Sequence, residues 1–470
     1  MDNFPRRRSA PSRAAALHRL AAVALAAAAG LTLADMLSHH HVFATAAAML
    51  VIVHVGLCWP RIRTNARIMM AAALGLALIF IATGGKGADL ALALSRAMYL
   101  PALLAVMAVL RVAAQRSEQV EVAAQFVVQQ PPARRYTFLA TGAHLLGILL
   151  NVGGYQLLLG IALGQRGAPE QSARAAEIRN RRIACAIMRG FNATVLWSPV
   201  GLAVNLLLPI MPTLDWFGYL PYGLTMLVVF SGLGWAMDRM GPRPLVPFAP
   251  PARDGAWAAI LALLALVLAI TGTAALLDYV FAVSMRAAVL MVIPVMALLW
   301  VMLTEKGPVG AKTATLGQQT LRALPDSANE IGLLAASGFL GLIVAQMIPP
   351  DAVRGLVQAL SMGPGVVGAL ITVMILGLGM LGLSPMITGS AFVGAVVGAG
   401  LPMPEPMLMV ATLGGWVGAA MLSPMTSTVA MLATATGLPS SVVGLRWNGV
   451  FALTFQAMVI VTLLVWQMLL

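Results

Sequence analysis

Gly190-Phe-Asn-Ala-Thr-Val-Leu-Trp-Ser-Pro-Val-Gly-Leu-Ala-Val204 decides how the rest of this chain is read, because its frame returns near the other end. Gly415-Trp-Val-Gly-Ala-Ala-Met-Leu-Ser-Pro-Met-Thr-Ser-Thr-Val429 sets a Gly-aromatic pair at the same eight-residue distance ahead of Ser-Pro. Both frames lie inside apolar runs of membrane-spanning length. A proline flanked by hydroxyls interrupts the helical hydrogen-bond ladder. Broken backbone at membrane depth persists only where protein buries it or a watery cavity lines it. Two such breaks at matching places in two halves of a chain point to a binding site between them.

The 470 residues are 60% hydrophobic and only 10% charged, whereas about a quarter of a soluble domain is charged. The composition predicts an all-α polytopic membrane protein whose solvent is lipid. The formal net charge is +13, from 29 Lys+Arg against 16 Asp+Glu. These cations gather in a few loops between apolar runs, a pattern that orients helices and implies no nucleic-acid partner. Cys58 and Cys185 fall on the same expected side, so no disulfide framework follows. Arg6, Arg7 and Arg8 ahead of an alanine-rich core imitate a signal peptide. The apolar run from Leu17 to Leu37 is long for one, so residues 1–37 read as an N-terminal region and retained first helix, with the N-terminus cytoplasmic.

Apolar runs over 42–58, 68–81 and 90–110 supply three more spans, with arginines after the second and fourth spans. The run 137–163 is flanked by arginines on both sides, Arg134-Arg135 before it and Arg166, Arg174, Arg179, Arg181 and Arg182 after it. A single crossing would put one cluster outside, so the run reads as a re-entrant hairpin. Its tip is Asn151-Val-Gly-Gly154, where paired glycines supply the turn and Asn151 a polar tip. The first interrupted helix follows at 183–210, then a span at 217–237 and a Pro-rich basic linker at 238–255. Beyond the linker come spans at 257–276 and 286–303, a cytoplasmic loop to Asn329, and a span at 331–347. A second hairpin covers 366–400, with Leu383-Ser-Pro-Met386 at its centre; the second interrupted helix (407–436) and a last span (450–469) close the chain. This gives about 11 transmembrane helices and two hairpins. Residues 38–237 and 256–470 form two inverted repeats, the linker between them being cytoplasmic and the C-terminus periplasmic.

This pattern resembles the ion transporter superfamily, which includes the divalent anion/sodium symporters, the arsenite-efflux membrane subunits and the membrane subunits of tripartite carboxylate transporters. The likeness covers nearly the whole chain at the level of topology. At the hairpin tips the symporters carry Ser-Asn-Thr, and this chain matches only at Asn151 and Ser384. The resemblance implies a scaffold domain with an elevator-like transport domain, secondary transport and a homodimer.

Hydroxyls and amides cluster at four breaks. Around the first hairpin tip and first interrupted helix are Asn151, Gly153, Asn192, Thr194 and Ser198. Around the second are Ser384, Thr388, Ser390, Ser423, Thr426, Ser427 and Thr428. Half-helix N-termini present free N–H groups and partial positive charge, which suits an anion. Exposed carbonyls beside Asn151, Asn192, Ser384 and Thr428 suit a sodium ion. The bland alternative is that each hydroxyl bonds to its own backbone. Within the apolar runs, Arg96 and Arg189 sit within snorkelling reach of helix ends, and His54 and His144 read as packed side chains. No carboxylate falls mid-span in either frame or hairpin, which disfavours a proton antiporter built on one. No Gly-x4-Gly-Lys motif is present, so a primary pump would need a partner ATPase.

The reading is a non-enzymatic secondary transporter of a small anionic or polar organic solute across the bacterial inner membrane. It is cation-coupled with sodium favoured, and needs no other cofactor and no bound metal. A permease subunit working with a partner ATPase or a periplasmic binding protein is the alternative within transport. An intramembrane enzyme is the alternative outside it.

Overall fold

The computed structural model describes residues 13–38, 40–164, 173–241 and 256–470. Arg6 to Arg8, Arg166 and residues 242–255 of the expected linker lie outside the described residues. The chain is an all-α multi-pass membrane protein. Its first half runs through α1 (Arg13–Ser38), α2 (His41–Leu57), α3 (Thr64–Ala82), α4 (Gly87–Ala97), α5 (Tyr99–Gln115), α6 (Glu118–Val128), α7 (Pro132–Leu150), α8 (Val152–Gly164), α9 (Ala173–Asn192), α10 (Leu202–Leu207) and α11 (Trp216–Met240). The second half runs through α12 (Ala256–Phe281), α13 (Met285–Thr304), α14 (Val309–Ala323), α15 (Ala328–Met347), α16 (Pro350–Ala359), α17 (Pro364–Met380), α18 (Pro385–Gly398), α19 (Glu405–Leu422), α20 (Ser427–Thr436) and α21 (Asn448–Gln467).

Among the described residues, nine stretches are long and apolar enough to cross a membrane, or up to ten if one sharply bent pair counts as a span. The other two of the eleven expected spans fall short for identifiable reasons. Helix α2 has 17 residues, and the interrupted segment begins with α9, whose arginines lower its apolarity. Large apolar side chains such as Leu78, Val228, Leu268 and Val461 are exposed along the flanks, as a lipid-facing surface requires. Caps mark several helix starts: the Asp215 carboxylate accepts from Gly218 N at 2.7 Å to begin α11, and Ser284 Oγ accepts from Ala287 N to begin α13.

Three expected connections are helical instead. The loop before Asn329 contains α14, joined to α15 by a 3-10 turn at 324–327. The stretch before the first hairpin contains α6, and the one before the second contains α16. All three are short and carry charge on one face, so a search for apolar runs passes over them.

The core pairs elements from both halves. Helix α3 packs on α15, α5 on α13, α7 on α9 and α17 on α19, while α8 packs on α20 and α18 on α10. Between α15 and α18 the contact is made by small residues. A Cβ on Gly341 would stand 1.6 Å from Ser390 Oγ, and one on Gly394 would stand 2.3 Å from Ala345 Cβ. Such seams let backbones approach where lipid offers no hydrophobic drive to hold helices together.

Basic segments expected on one side of the membrane are brought together. Arg61 pairs with Asp326 at 2.9 Å, Arg63 N donates to Asn329 Oδ1 at 3.0 Å, and Arg116 pairs with Glu305 at 2.5 Å. Arg182 grips Asp238 with two bonds, Nε to Oδ1 at 2.9 Å and Nη2 to Oδ2 at 2.6 Å, tying α9 to the end of α11. Their side chains are 19% and 10% exposed. Removing one partner of so enclosed a pair strands a charge, at a cost of about 3–5 kcal/mol. Asp238→Ala is therefore expected to lower the thermal unfolding midpoint of purified protein clearly. Exposed Asp351, paired with Arg354 within one helix, serves as the control, and its alanine variant is expected to change little.

Candidate functional site: the second helix break between two hairpins

The repeated Gly-aromatic pair has a packing cause. Gly190 lies where α9 meets the first helix of the first hairpin: a Cβ there would stand 2.1 Å from Ala140 O and 2.6 Å from its Cα. Gly415 holds the equivalent place between α19 and α17, with Thr372 O at 2.7 Å from its would-be Cβ. The aromatic neighbour then leans on the same hairpin. Phe191 packs on Tyr155 with ring centroids 4.9 Å apart, and Trp416 covers Gly389. Each frame thus presses an interrupted helix onto a hairpin, and the break follows within a few residues.

The first break is closed by side chains. Beyond α9 a 3-10 turn (193–196) and an irregular stretch lead to α10. Tyr219 Oη donates to Leu196 O at 2.8 Å, and Trp216 Nε1 donates to Trp197 O at 3.1 Å. Asn205 Nδ2 donates to Pro199 O and Gly201 O, and its own Oδ1 accepts from Tyr99 Oη at 3.1 Å. Trp197 Nε1 donates to His144 Nε2 at 3.0 Å. An indole can only donate, so the histidine proton sits on Nδ1, which donates to Gly190 O at 3.3 Å. His144 is therefore a packed and satisfied clamp between hairpin and break. Asn192 and Thr194 turn back on their own helix, to Met188 O and Phe191 O. Ser198 Oγ is buried with no hydrogen-bond partner, the one orphan hydroxyl at this break among the described residues.

The second break is differently built. Helix α19 ends at Leu422, and α20 restarts at Ser427 after Thr426. Thr426 Oγ1 donates back to Ala420 O and Ser423 O, and Thr428 Oγ1 donates to Ala420 O at 2.7 Å. These threonines satisfy the end of α19, so no side chain caps the start of α20. The first amides of α20 stay available to an anion. Ser423, fully buried, uses its Oγ to accept from Met425 N at 3.2 Å and keeps its hydroxyl hydrogen free to donate. Pro424 and Thr426 are half-buried; Met425 and Ser427 are exposed.

Both hairpins reach this break. Tyr155 Oη, at the start of α8, donates to Thr428 O at 3.1 Å. From the other side, Gly382 at the second tip would set a Cβ 3.5 Å from Met425 Cγ. Tyr155→Phe keeps the ring and deletes one hydroxyl. It is expected to cost about 1 kcal/mol, read as a slightly lower unfolding midpoint, with a larger effect on solute affinity if this contact seats the first hairpin.

The tips correct one expectation. The first turn is made by Asn151 itself, at φ +52° and ψ −134°, a positive-φ turn conformation dominated by Gly, Asn and Asp. Gly153 and Gly154 lie in the first turn of α8. Gly154 is needed because a Cβ would stand 2.3 Å from Leu146 O in α7. At the second tip, Gly382 at φ +95° makes the turn and Ser384 Oγ caps α18 by accepting from Met386 N. Thr388 and Ser390 bond back to Ser384 O and Met386 O. The bland reading thus holds for the bonded threonines, and Asn151, Ser198, Ser423 and Ser427 are left as the polar groups with the most unused capacity.

Sequence reasoning missed Arg111. Its Cδ would lie 3.6 Å from a Cβ on Gly153, and its Nη2 donates to Ser327 Oγ at 3.0 Å. This half-buried cation stands beside the first tip. Lying near the end of an apolar run, it reads as one more orienting charge. Arg189, placed within snorkelling reach of a helix end, stacks over Phe451 at 4.2 Å.

No family model matches the chain, and no curated protein matches it. Among solved structures it is similar to the YdaH transporter of Alcanivorax borkumensis, described as having an unusual topology. Identity is 13% over 76% of this chain and 84% of that one, with a TM-score of 0.48. At that level of similarity the functional reading rests on the residues.

Proposed function

We propose that this chain is a secondary active transporter of a small anionic or polar organic solute across the bacterial inner membrane, with sodium as the coupling ion. The observation that carries the proposal is the second helix break, an uncapped half-helix start bracketed by one contact from each hairpin. Backbone at membrane depth that is left uncapped costs free energy unless a ligand or water completes it. The first amides of α20, Ser423, Thr426 and Ser427 bind the solute in this reading, with Ser384, Thr388, Ser198, Thr194 and Gly153 around it. Arg111 adds positive charge near the first tip. Sodium is held by carbonyls at the breaks with Asn151, Asn192, Ser384 and Thr428 nearby, because hydroxyls, amides and carbonyls gather there and no carboxylate falls within either interrupted helix break or hairpin tip.

The inverted-repeat reading is supported by the order of elements, which is the same from α2 to α11 as from α12 to α21, and by the shared role of Gly190 and Gly415. Elevator-like alternating access belongs to this reading as what the resemblance in topology implies. The functional unit in this reading is a homodimer with its N-terminus cytoplasmic. The test is uptake of labelled mono- and dicarboxylates into proteoliposomes of the purified chain. A sodium gradient is expected to drive accumulation of at least one of them. Equal uptake with and without protein, for every solute and both cations, overturns the proposal.

A further inference from the structure

A cavity of about 280 Å³ lies between α5, α14 and the turn at 324–327, away from the second helix break. Its polar lining is Gln115, Arg116, Gln319, Arg322 and Asp326. Two of these charges are already committed: Arg116 Nη2 to Glu305 Oε2 at 2.5 Å, and Asp326 Oδ1 to Arg61 Nη1 at 2.9 Å. Arg322 makes no ion pair among the described residues. Three guanidinium groups therefore face two carboxylates, and Arg111, one turn from Gln115, adds a fourth, which donates to Ser327 Oγ. Buried polar atoms of both kinds lie around it without partners, Glu305 Oε1 among them. Arg116 Nη1 is buried with no hydrogen-bond partner, and so is Thr320 Oγ1 on the helix that carries Gln319 and Arg322.

We infer that this cavity binds a small oxyanion, a phosphate or carboxylate group. Guanidinium forks suit planar or tetrahedral oxyanions because two N–H groups meet two oxygens at once. Arg322 supplies charge and accessible donors, Arg116 adds charge from the wall while its buried Nη1 stays out of a ligand's reach, and the amides of Gln115 and Gln319 supply neutral hydrogen bonds. Asp326, held in place by Arg61, accepts the hydroxyl of a monoprotonated phosphate. Glu305 Oε1 is buried without a partner but does not line the cavity, and the lining carboxylate, Asp326, is paired with Arg61, so the lining favours an anion over a cation. Arg111 apart, the lining shares no residue with the proposed solute site, yet the cavity adjoins the first hairpin. A Cβ on Gly153 would lie 4.0 Å from Gln115 Nε2, so a bound oxyanion stiffens the surface on which that tip rests.

The oxyanion can be free in solution or be the phosphate of an anionic lipid, and one experiment separates the two. Thermal unfolding of the full chain is followed in detergent with inorganic phosphate or chloride at equal ionic strength, and in nanodiscs of phosphatidylglycerol or phosphatidylcholine. Arg322 and Gln319 are exposed, so Arg322→Gln and Gln319→Leu are expected to fold with an unchanged midpoint in chloride and phosphatidylcholine. In wild type the midpoint is expected to rise by about 2–4 °C with phosphate, with phosphatidylglycerol, or with both. The rise falls by at least half in each variant. Phosphate alone identifies a soluble ligand, and phosphatidylglycerol alone a headgroup. No oxyanion-specific rise in either arm, or a rise in Arg322→Gln equal to that of wild type, overturns the inference. Ser423→Ala is expected to keep the full phosphate response, which separates this site from the proposed solute site.

Discussion

Gly190→Val is expected to yield no monodisperse protein after detergent extraction. The new side chain would have to enter space held by the backbone of Ala140, at 2.1 Å from its carbonyl oxygen and 2.6 Å from its Cα. Inserting carbon into a packed interior costs about 1–3 kcal/mol where side chains can give way, and more where backbone must. Here the backbone is the middle of α7, itself held by the His144 bond to Gly190 O. The comparison is Gly272→Val in α12, where nothing lies within 4 Å of the added carbon, and that variant is expected to extract like wild type. Size-exclusion profiles of the two read the difference. A monodisperse Gly190→Val peak with a near-normal unfolding midpoint would refute the packing role assigned to the repeated frame.

Ser423→Ala is expected to fold and to lose transport. Its hydroxyl accepts one bond from Met425 N, so removal costs stability only about 1 kcal/mol. For solute the loss is larger, because the hydrogen it would donate to an anion has no replacement in a fully buried position. A charge-assisted hydrogen bond of about 1.5–3 kcal/mol corresponds to a roughly ten- to hundredfold drop in uptake at subsaturating solute. Initial uptake rates in proteoliposomes, normalised to incorporated protein, measure this. Wild-type rates in Ser423→Ala would remove Ser423 from the site.

Much of the architecture was legible because lipid leaves few options. Long apolar runs must be helices, and the arginines at both ends of 137–163 pointed to a turn within that run. The structure folds that run as α7 and α8, with the turn at Asn151. The repeated frame marked where the two interrupted helices fall, and its glycines prove to be their contact points with the hairpins. What escaped was set by neighbours distant in sequence. Helices α6, α14 and α16 lack apolar length, so no run of apolar residues announces them in the sequence. The pairing of Arg116 with Glu305 and of Arg61 with Asp326 joins residues far apart in the chain. The candidate site was legible as a set of polar residue types at breaks. Which hydroxyls remain free was not, because that depends on local geometry: Thr426 and Thr428 turn back to Ala420 O, while Ser198 Oγ is left without a partner.

The central claim is that a small anion binds at the second break between the hairpins, aided by sodium. Its most direct test is a thermal-shift screen of the purified chain against mono- and dicarboxylates, with sodium or potassium as the only cation, in wild type, Asn151→Ala and Ser423→Ala. At least one carboxylate is expected to raise the wild-type midpoint, by more in sodium than in potassium, and to lose that effect in both variants. If no carboxylate stabilises the wild type, or if one stabilises the variants equally, the claim is contradicted.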